Sequence, residues 1–224
     1  MTPLDNPLWA SLSTTHAALR IGDDRIARYP RTVAPFLAVA HDGARDDDAL
    51  AALVEPGETV LLLGPRVATP SGWTLEDLGT TTQLVATPAA PAAEAARVEP
   101  LGRDDDDRIR ALAALVYPHY FRPRTAELGR YYGIRDGDAL AAMAGERMGF
   151  PGYREISAVC THPDHVGRGL ARALLAVLVG EIRARGDTPF LHVSPANTRA
   201  LRLYEQNGFA PRVAIAFAAL TRLH

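Results

Sequence analysis

The 224-residue sequence predicts an α/β fold, of the α+β kind, on three grounds. Short apolar strips bounded by Gly, Pro and Asp turn signals alternate with stretches whose apolar residues recur at helical spacing. From residue 98 onward these elements read β-α-β-β-β-α-β-α-β, an order that mixes hairpins with helical connections. The composition, 47% hydrophobic and 22% charged, supplies a packed core and excludes a disordered tail or a membrane-embedded chain. At roughly 150 residues per domain the length fits one large or two small domains.

The elements follow in order. Over residues 1–90, apolar strips at 36–40, 60–63 and 83–86 lie between turns such as Glu55-Pro56-Gly57 and Pro70-Ser71-Gly72. A helix at 50–54 follows the acidic run 46–48, whose charge suits the positive end of a helix dipole. This part reads as an accessory α+β region without a chemical motif. The run VATPAAPAAEAAR (85–97) has few large apolar anchors, so a connector is expected at 91–95 and a second unit over 96–224; a short Ala-rich helix at 92–96 is the other reading. In that unit 98–101 is a strand, and 104–116 is a helix with Ile109, Leu112, Ala113 and Val116 on one face. Strands at 130–134 and 139–148 flank Arg135-Asp136-Gly137-Asp138, a hairpin signal. A strand at 155–161 leads through a Gly-rich bend to a helix at 170–185 that Gly186 ends. Strand 190–193, a helix at 197–206 stopped by Asn207-Gly208, and strand 213–220 complete the unit.

Charge and cysteine content narrow the function. A formal net charge of −2 without a long basic run argues against nucleic acid as a partner. One cysteine, Cys160, excludes an internal disulfide and a multi-cysteine metal site, and in mid-strand it reads as an inert buried thiol. The start MTPLDNPLW lacks a leader pattern, and no apolar run is long enough to cross a membrane, so a soluble cytoplasmic protein is expected. His162, Asp164 and His165 share one short loop, which is poor metal geometry, and no metal is expected.

The chemistry concentrates in the strand-to-helix bend Thr161-His162-Pro163-Asp164-His165-Val166-Gly167-Arg168-Gly169-Leu170-Ala171. Its glycines let a ligand approach the backbone, and free N–H groups at a helix start bind anions such as a pyrophosphate, with Arg168 and Arg172 adding charge. A plain tight turn is the alternative. Arg172 breaks the dinucleotide fingerprint and Gly-Lys-Ser/Thr is absent, so neither NAD nor ATP is indicated.

The run HPDHVGRGLARALL (162–175) resembles motif A of the GNAT superfamily of N-acetyltransferases. Asn197-x-x-Ala200-x-x-Leu203-Tyr204-Glu205-x-x-Gly208-Phe209 is similar to that family's motif B, in the family's order. The resemblance spans about 96–221 and implies a mixed, largely antiparallel sheet, splayed where the cofactor enters, with helices on both faces. It further implies acetyl-CoA as co-substrate. Val159, Cys160 and Thr161 would then offer a strand edge to the pantetheine arm. Val166, Gly167, Arg168, Gly169, Leu170, Ala171 and Arg172 would hold the pyrophosphate, with Val166 standing where the family usually has Arg or Gln. Asn197 would contact the cofactor or cap its helix.

The resemblance also suggests Glu155 as the base that draws a proton from the amine, and Tyr204 as the acid that protonates the leaving thiolate. A solvated strand-end carboxylate and a core tyrosine are the structural alternatives. Strand alternation puts Glu155, Ser157, Val159 and Thr161 on one face. The stretch 117–125 is rich in aromatics; the resemblance puts it on the acceptor side, where Phe121 would line the cleft and Arg122 and Arg124 clamp a carboxylate or lie exposed. The expected activity is direct acetyl transfer to a primary amine of a small molecule or peptide. The other reading is a non-catalytic acyl-CoA-binding or regulatory module. Residues 1–90 would be an accessory region closing the acceptor side, a degenerate GNAT-like half being the other reading, and neither the acceptor nor the oligomeric state is indicated.

Overall fold

A computed structural model describes residues 2–92, 97–116 and 121–224. Its elements run α1 (Pro7–Ser13), β1 (Ile21–Gly22), β2 (Ile26–Arg28), β3 (Leu37–Val39), α2 (Asp47–Leu53), β4 (Thr59–Leu63), β5 (Trp73–Ala86) and β6 (Glu99–Leu101), then α3 (Asp106–Val116), β7 (Tyr131–Asp136), β8 (Ala139–Phe150), β9 (Tyr153–Thr161), α4 (Leu170–Ala184), β10 (Thr188–Val193), α5 (Thr198–Gln206) and β11 (Phe209–Arg222). Eight strands make one mixed sheet in the order β4-β11-β5-β10-β9-β8-β7-β6, and β1-β2-β3 form a small second sheet. In the large sheet, among the described residues, only β9 and β10 run parallel; the other pairs are antiparallel. No helix among the described residues is long and apolar enough to cross a membrane.

Sequence chemistry explains the element ends. Asp46 caps α2 by accepting from the Ala49 N–H at 3.0 Å, and Asn197 caps α5 by accepting from the Ala200 N–H at 3.1 Å. The hairpin between β7 and β8 turns on Gly137 at φ +59°, a conformation glycine adopts without a Cβ penalty.

Two layers cover the large sheet. On one face Leu174, Leu178 and Ile182 of α4 pack on Ala142, Ala144 and Ile156. On the other, α3 covers Tyr131, Met143 and Cys160, while Leu8 and Leu12 of α1, with Tyr29 and Phe36, cover Met148, Phe150 and Phe190. Each fully buried leucine of this kind is worth about 1.5–3 kcal/mol relative to exposure.

The expected accessory region is not a separate layer. Strands β4 and β5, both from before residue 90, sit in the large sheet, and β5 lies between β11 and β10. The expected boundary at 91–95 therefore does not separate two sheets. Residues 93–95 of that connector, and 93–96 of the alternative helix, lie outside the described residues. The whole of α1 and the first ten residues of β5 are absent from the sequence reading. The first half of β5 is largely exposed, and its apolar alternation is confined to half-buried Trp73 and Leu75, too short to mark a long strand; the backbone of β5 pairs with β11 throughout.

Candidate active site

The parallel pair β9–β10 is short. Thr188, Pro189 and Phe190 pair with Tyr153, Arg154 and Glu155, after which β10 continues against β5 and β9 diverges from it. Beyond Glu155, β9 thus presents an edge with no strand on the β10 side. A bulge lies on that edge: Ala158 and Val159 together oppose the single residue Ala144, and Ala158 has φ +50°. A positive φ at a non-glycine residue is strained, and the flanking ladders hold it.

The bulge inverts the side-chain pattern. Glu155 and Phe190 point to the α1 face, whereas Val159 packs into the α4 core and Cys160 under α3. The expectation that Glu155 and Val159 share a face is corrected here, because the extra residue at Ala158–Val159 shifts the alternation by one.

A cavity of about 380 Å³ follows the free edge to the start of α4. Val159, Thr161, His165, Val166, Gly167, Gly169, Leu170, Ala171 and Arg172 line it from one side, and Asn197, Ala200, Leu203 and Tyr204 from the other. Gly167 and Gly169 have φ +87° and +74°, and a Cβ on either would meet nothing within 4 Å, so the space above them is open to a ligand. The first helical bond of α4 runs from the Ala173 N–H to the Gly169 carbonyl, leaving the preceding N–H groups without intrahelical partners. Arg168 and Arg172 are exposed beside this cradle, as is Val166. The residues present fit a pyrophosphate-bearing co-substrate with an extended arm along β9.

A second cavity, of about 270 Å³, opens on the opposite side of the bulge. Ile156, Ser157, Ala158, Val159 and Cys160 form its floor; Phe36, Leu63, Phe121, Tyr131 and Phe217 supply apolar walls; Arg147 and His192 bring polarity. Val159, Asn197, Ala200 and Tyr204 line both cavities, so the two meet there.

Beneath this cavity lies a polar network. A second bulge puts Arg147 and Met148 together opposite Glu155. The carboxylate therefore accepts from Arg147 Nε at 2.8 Å and Nη2 at 2.6 Å, from the Met148 N–H at 3.2 Å, and faces His192 Nδ1 at 2.8 Å. Glu155 is fully buried; burial pushes its carboxyl up, but the Arg147 charge and hydrogen bonds, with those of His192, outweigh this and hold it down at about 2. On its other side His192 Nε2 lies 3.0 Å from Gln83 Nε2, whose amide is oriented by donation to the Leu4 carbonyl and by Arg212 donating to Oε1. His192 Nε2 is thereby the acceptor, and Nδ1–H donates to Glu155.

The expected site residues are distributed accordingly. Val159, Thr161, Val166, Gly167, Gly169, Leu170, Ala171, Arg172, Asn197 and Tyr204 converge on the cradle, and Phe121 and Cys160 on the second cavity. Burial pushes the Cys160 thiol up to about 12. Glu155 does not line either cavity; it lies under Arg147 with its oxygens occupied. Arg122 and Arg124 also lie off the cavity, the guanidinium of Arg124 being held bidentately by Glu127 at 2.7 and 2.6 Å. Residues 117–120 of the aromatic stretch lie outside the described residues. The sequence reading missed Arg147, His192 and Gln83. The available signal was charge within apolar strands: Glu146-Arg147 inside β8 and His192 inside β10 must find buried partners.

A mixed sheet that parts between two parallel strands, beside a glycine-lined helix start, is the arrangement that the resemblance to N-acetyltransferases implies. Residues 131–217 match the family model described as FR47-like protein. The crystal structure of an acetyltransferase from the GNAT family of Novosphingobium aromaticivorans superposes with TM-score 0.90 at 33% identity, each chain covered completely. The chain belongs to the GNAT family of acetyltransferases. A GCN5-related N-acetyltransferase from Kribbella flavida shares the fold at TM-score 0.61 and 17% identity, over 96% of this chain and 95% of that one. A mycothiol acetyltransferase from Cellulomonas flavigena is 31% identical over 147 residues, covering 55% of this chain and 42% of that protein. The chain spans less than half the length of the curated relatives it matches.

Proposed function

We propose that this chain transfers an acetyl group from acetyl-CoA directly to a primary amine of a small molecule or peptide. The observation that carries this reading is the junction of the two cavities at Val159, Asn197, Ala200 and Tyr204: a cradle for the co-substrate meets a separate cavity for an acceptor beside the Ala158 bulge. The likeness to mycothiol acetyltransferases supports acetyl transfer without assigning the acceptor.

Acetyl-CoA supplies the activated thioester. The N–H groups at 167–172 hold its pyrophosphate, the Val166 N–H being taken by the Pro163 carbonyl, and the β9 edge pairs with its extended arm. Backbone amides freed by the bulge near Val159 polarise the thioester carbonyl. The amine nitrogen bonds to the acetyl carbon, the C–S bond breaks, the Tyr204 hydroxyl gives its proton to the departing sulfur, and the amine's proton leaves to water in the cleft. Glu155, saturated by four N–H donors, is a positioning residue that fixes Arg147 and His192.

Calorimetric titration with acetyl-CoA, CoA and ATP, followed by thiol release with a panel of amines, tests the reading. Binding of both CoA species but not ATP, with amine-dependent thiol release, is expected. Binding without release from any amine would leave a non-catalytic acyl-CoA module, and no binding would remove the cradle.

A further inference from the structure

We propose that Arg147 is the carboxylate-binding residue of the acceptor cavity, so that the amine acetylated here carries a carboxylate on a small apolar body. This rests on the N-acetyltransferase reading above and names its substrate class.

A guanidinium has five N–H donors in a rigid planar fork. In Arg147, Glu155 takes the Nε–H and one Nη2–H, which leaves the second Nη2 hydrogen and one Nη1 hydrogen side by side along the outer edge, with the other Nη1 hydrogen turned toward the Cδ side. Among the described residues Nη1 has no hydrogen-bond partner, and the side chain keeps 22% of its surface open where it lines the cavity. The guanidinium carbon sits over the Phe36 ring, 5.1 Å from its centroid. Held at one edge by Glu155 and packed against Phe36, the group is kept in this orientation. The free edge is therefore preorganised for a planar, two-oxygen anion, the geometry guanidinium recognises best.

The rest of the cavity sets the remainder of the ligand. Phe36, Phe121, Tyr131, Leu63 and Phe217 offer apolar surface, and the volume, about 270 Å³, suits an amino-acid-sized molecule rather than a drug-sized one. The bulge at Ala158–Val159 lies in the same floor, so an amine placed there and a carboxylate placed on Arg147 span one small molecule. The arginines that the sequence reading put forward for this task, Arg122 and Arg124, lie off the cavity.

The test uses the full chain, acetyl-CoA and matched acceptors: phenylalanine, phenylalaninamide and phenethylamine, with leucine and isopentylamine as a second set. Rates are compared per concentration of free amine. The carboxylates should exceed the matched amines in kcat/KM by about tenfold to a hundredfold, the range of a charged hydrogen bond. Arg147→Lys keeps a positive charge beside Glu155 but lacks the outer edge, and should collapse that ratio to near one by raising KM for the carboxylates. Should that variant not fold, the double variant Arg147→Met with Glu155→Gln removes both charges together and should collapse the ratio likewise. Equal rates with acid and amide, equal rates with acid and amine, or a ratio that survives both variants would overturn the proposal.

If no amine is turned over, calorimetry with phenylalanine and leucine in the presence of CoA decides. Binding that Arg147→Lys abolishes keeps the carboxylate site and removes the transfer reading; absence of binding overturns the site.

Discussion

Glu155→Gln separates a buried structural carboxylate from a working base. The side chain is fully buried and accepts from two Arg147 nitrogens and the Met148 amide, with His192 Nδ1–H as the fourth donor. An amide there presents N–H groups to at least one of those donors and leaves the Arg147 charge without its counter-ion. A carboxyl held at about 2 against an ordinary 4.5 contributes about 3 kcal/mol of stability at neutral pH. Removal of one partner from a buried pair costs a similar amount, about 3–5 kcal/mol. For a chain of this length 3–5 kcal/mol is a fall in Tm of about 6–20 °C.

The sign of the pH dependence follows from the direction of the shift. The native state binds this proton less readily than the unfolded chain, so the contribution is complete above pH 4.5 and drains away as pH falls toward 2. Denaturant unfolding at pH 7 and pH 3 should show the variant far less stable than the wild type at pH 7, with the gap narrowing at pH 3. Wild-type stability in the variant, combined with a large loss of turnover, would refute the buried-pair argument and return Glu155 to the role of base.

Three further outcomes are expected. Gly145→Ala would place its Cβ 2.4 Å from the Tyr131 ring, which is packed under α3, so about 1–3 kcal/mol of stability should be lost and acceptor KM raised, checked by unfolding and kinetics. Gly169→Ala puts a side chain at φ +74° into open space over the cradle; a stability loss of about 1–2 kcal/mol and a weaker acetyl-CoA Kd by calorimetry are expected. Tyr204→Phe should lower kcat about a hundredfold while CoA affinity stays within about twofold, since the hydroxyl is assigned to the leaving sulfur rather than to binding.

Local signals carried far. The periodicity of Leu170, Leu174, Leu178 and Ile182, the Asp136-Gly137 turn and the Asn197 cap each act within a few residues, and each appears in the structure where the sequence puts it. The bend with Gly167 and Gly169 is also local, because positive φ and an uncapped helix start need only neighbouring residues, and its geometry was legible for that reason. Less legible were α1, whose seven residues are too few for a clear period, and β5, whose exposed half pairs through its backbone.

Which residues face one another across the sheet was a matter for the tertiary structure. Two bulges, Ala158–Val159 in β9 and Arg147–Met148 in β8, shift side-chain alternation by one residue, and no one-strand pattern contains the partner that reveals the extra residue. The first sends Glu155 and Val159 to opposite faces; the second brings Arg147 against Glu155 and leaves its outer edge at the second cavity. The amino-acid sequence by itself determined α3, α4, α5, the hairpin and the glycine-lined start of α4, because short-range stereochemistry is enough for them. Only the folded sheet decided the second cavity and the network beneath it, because register and burial are set by contacts between residues as distant in the chain as Gln83, Arg147 and His192.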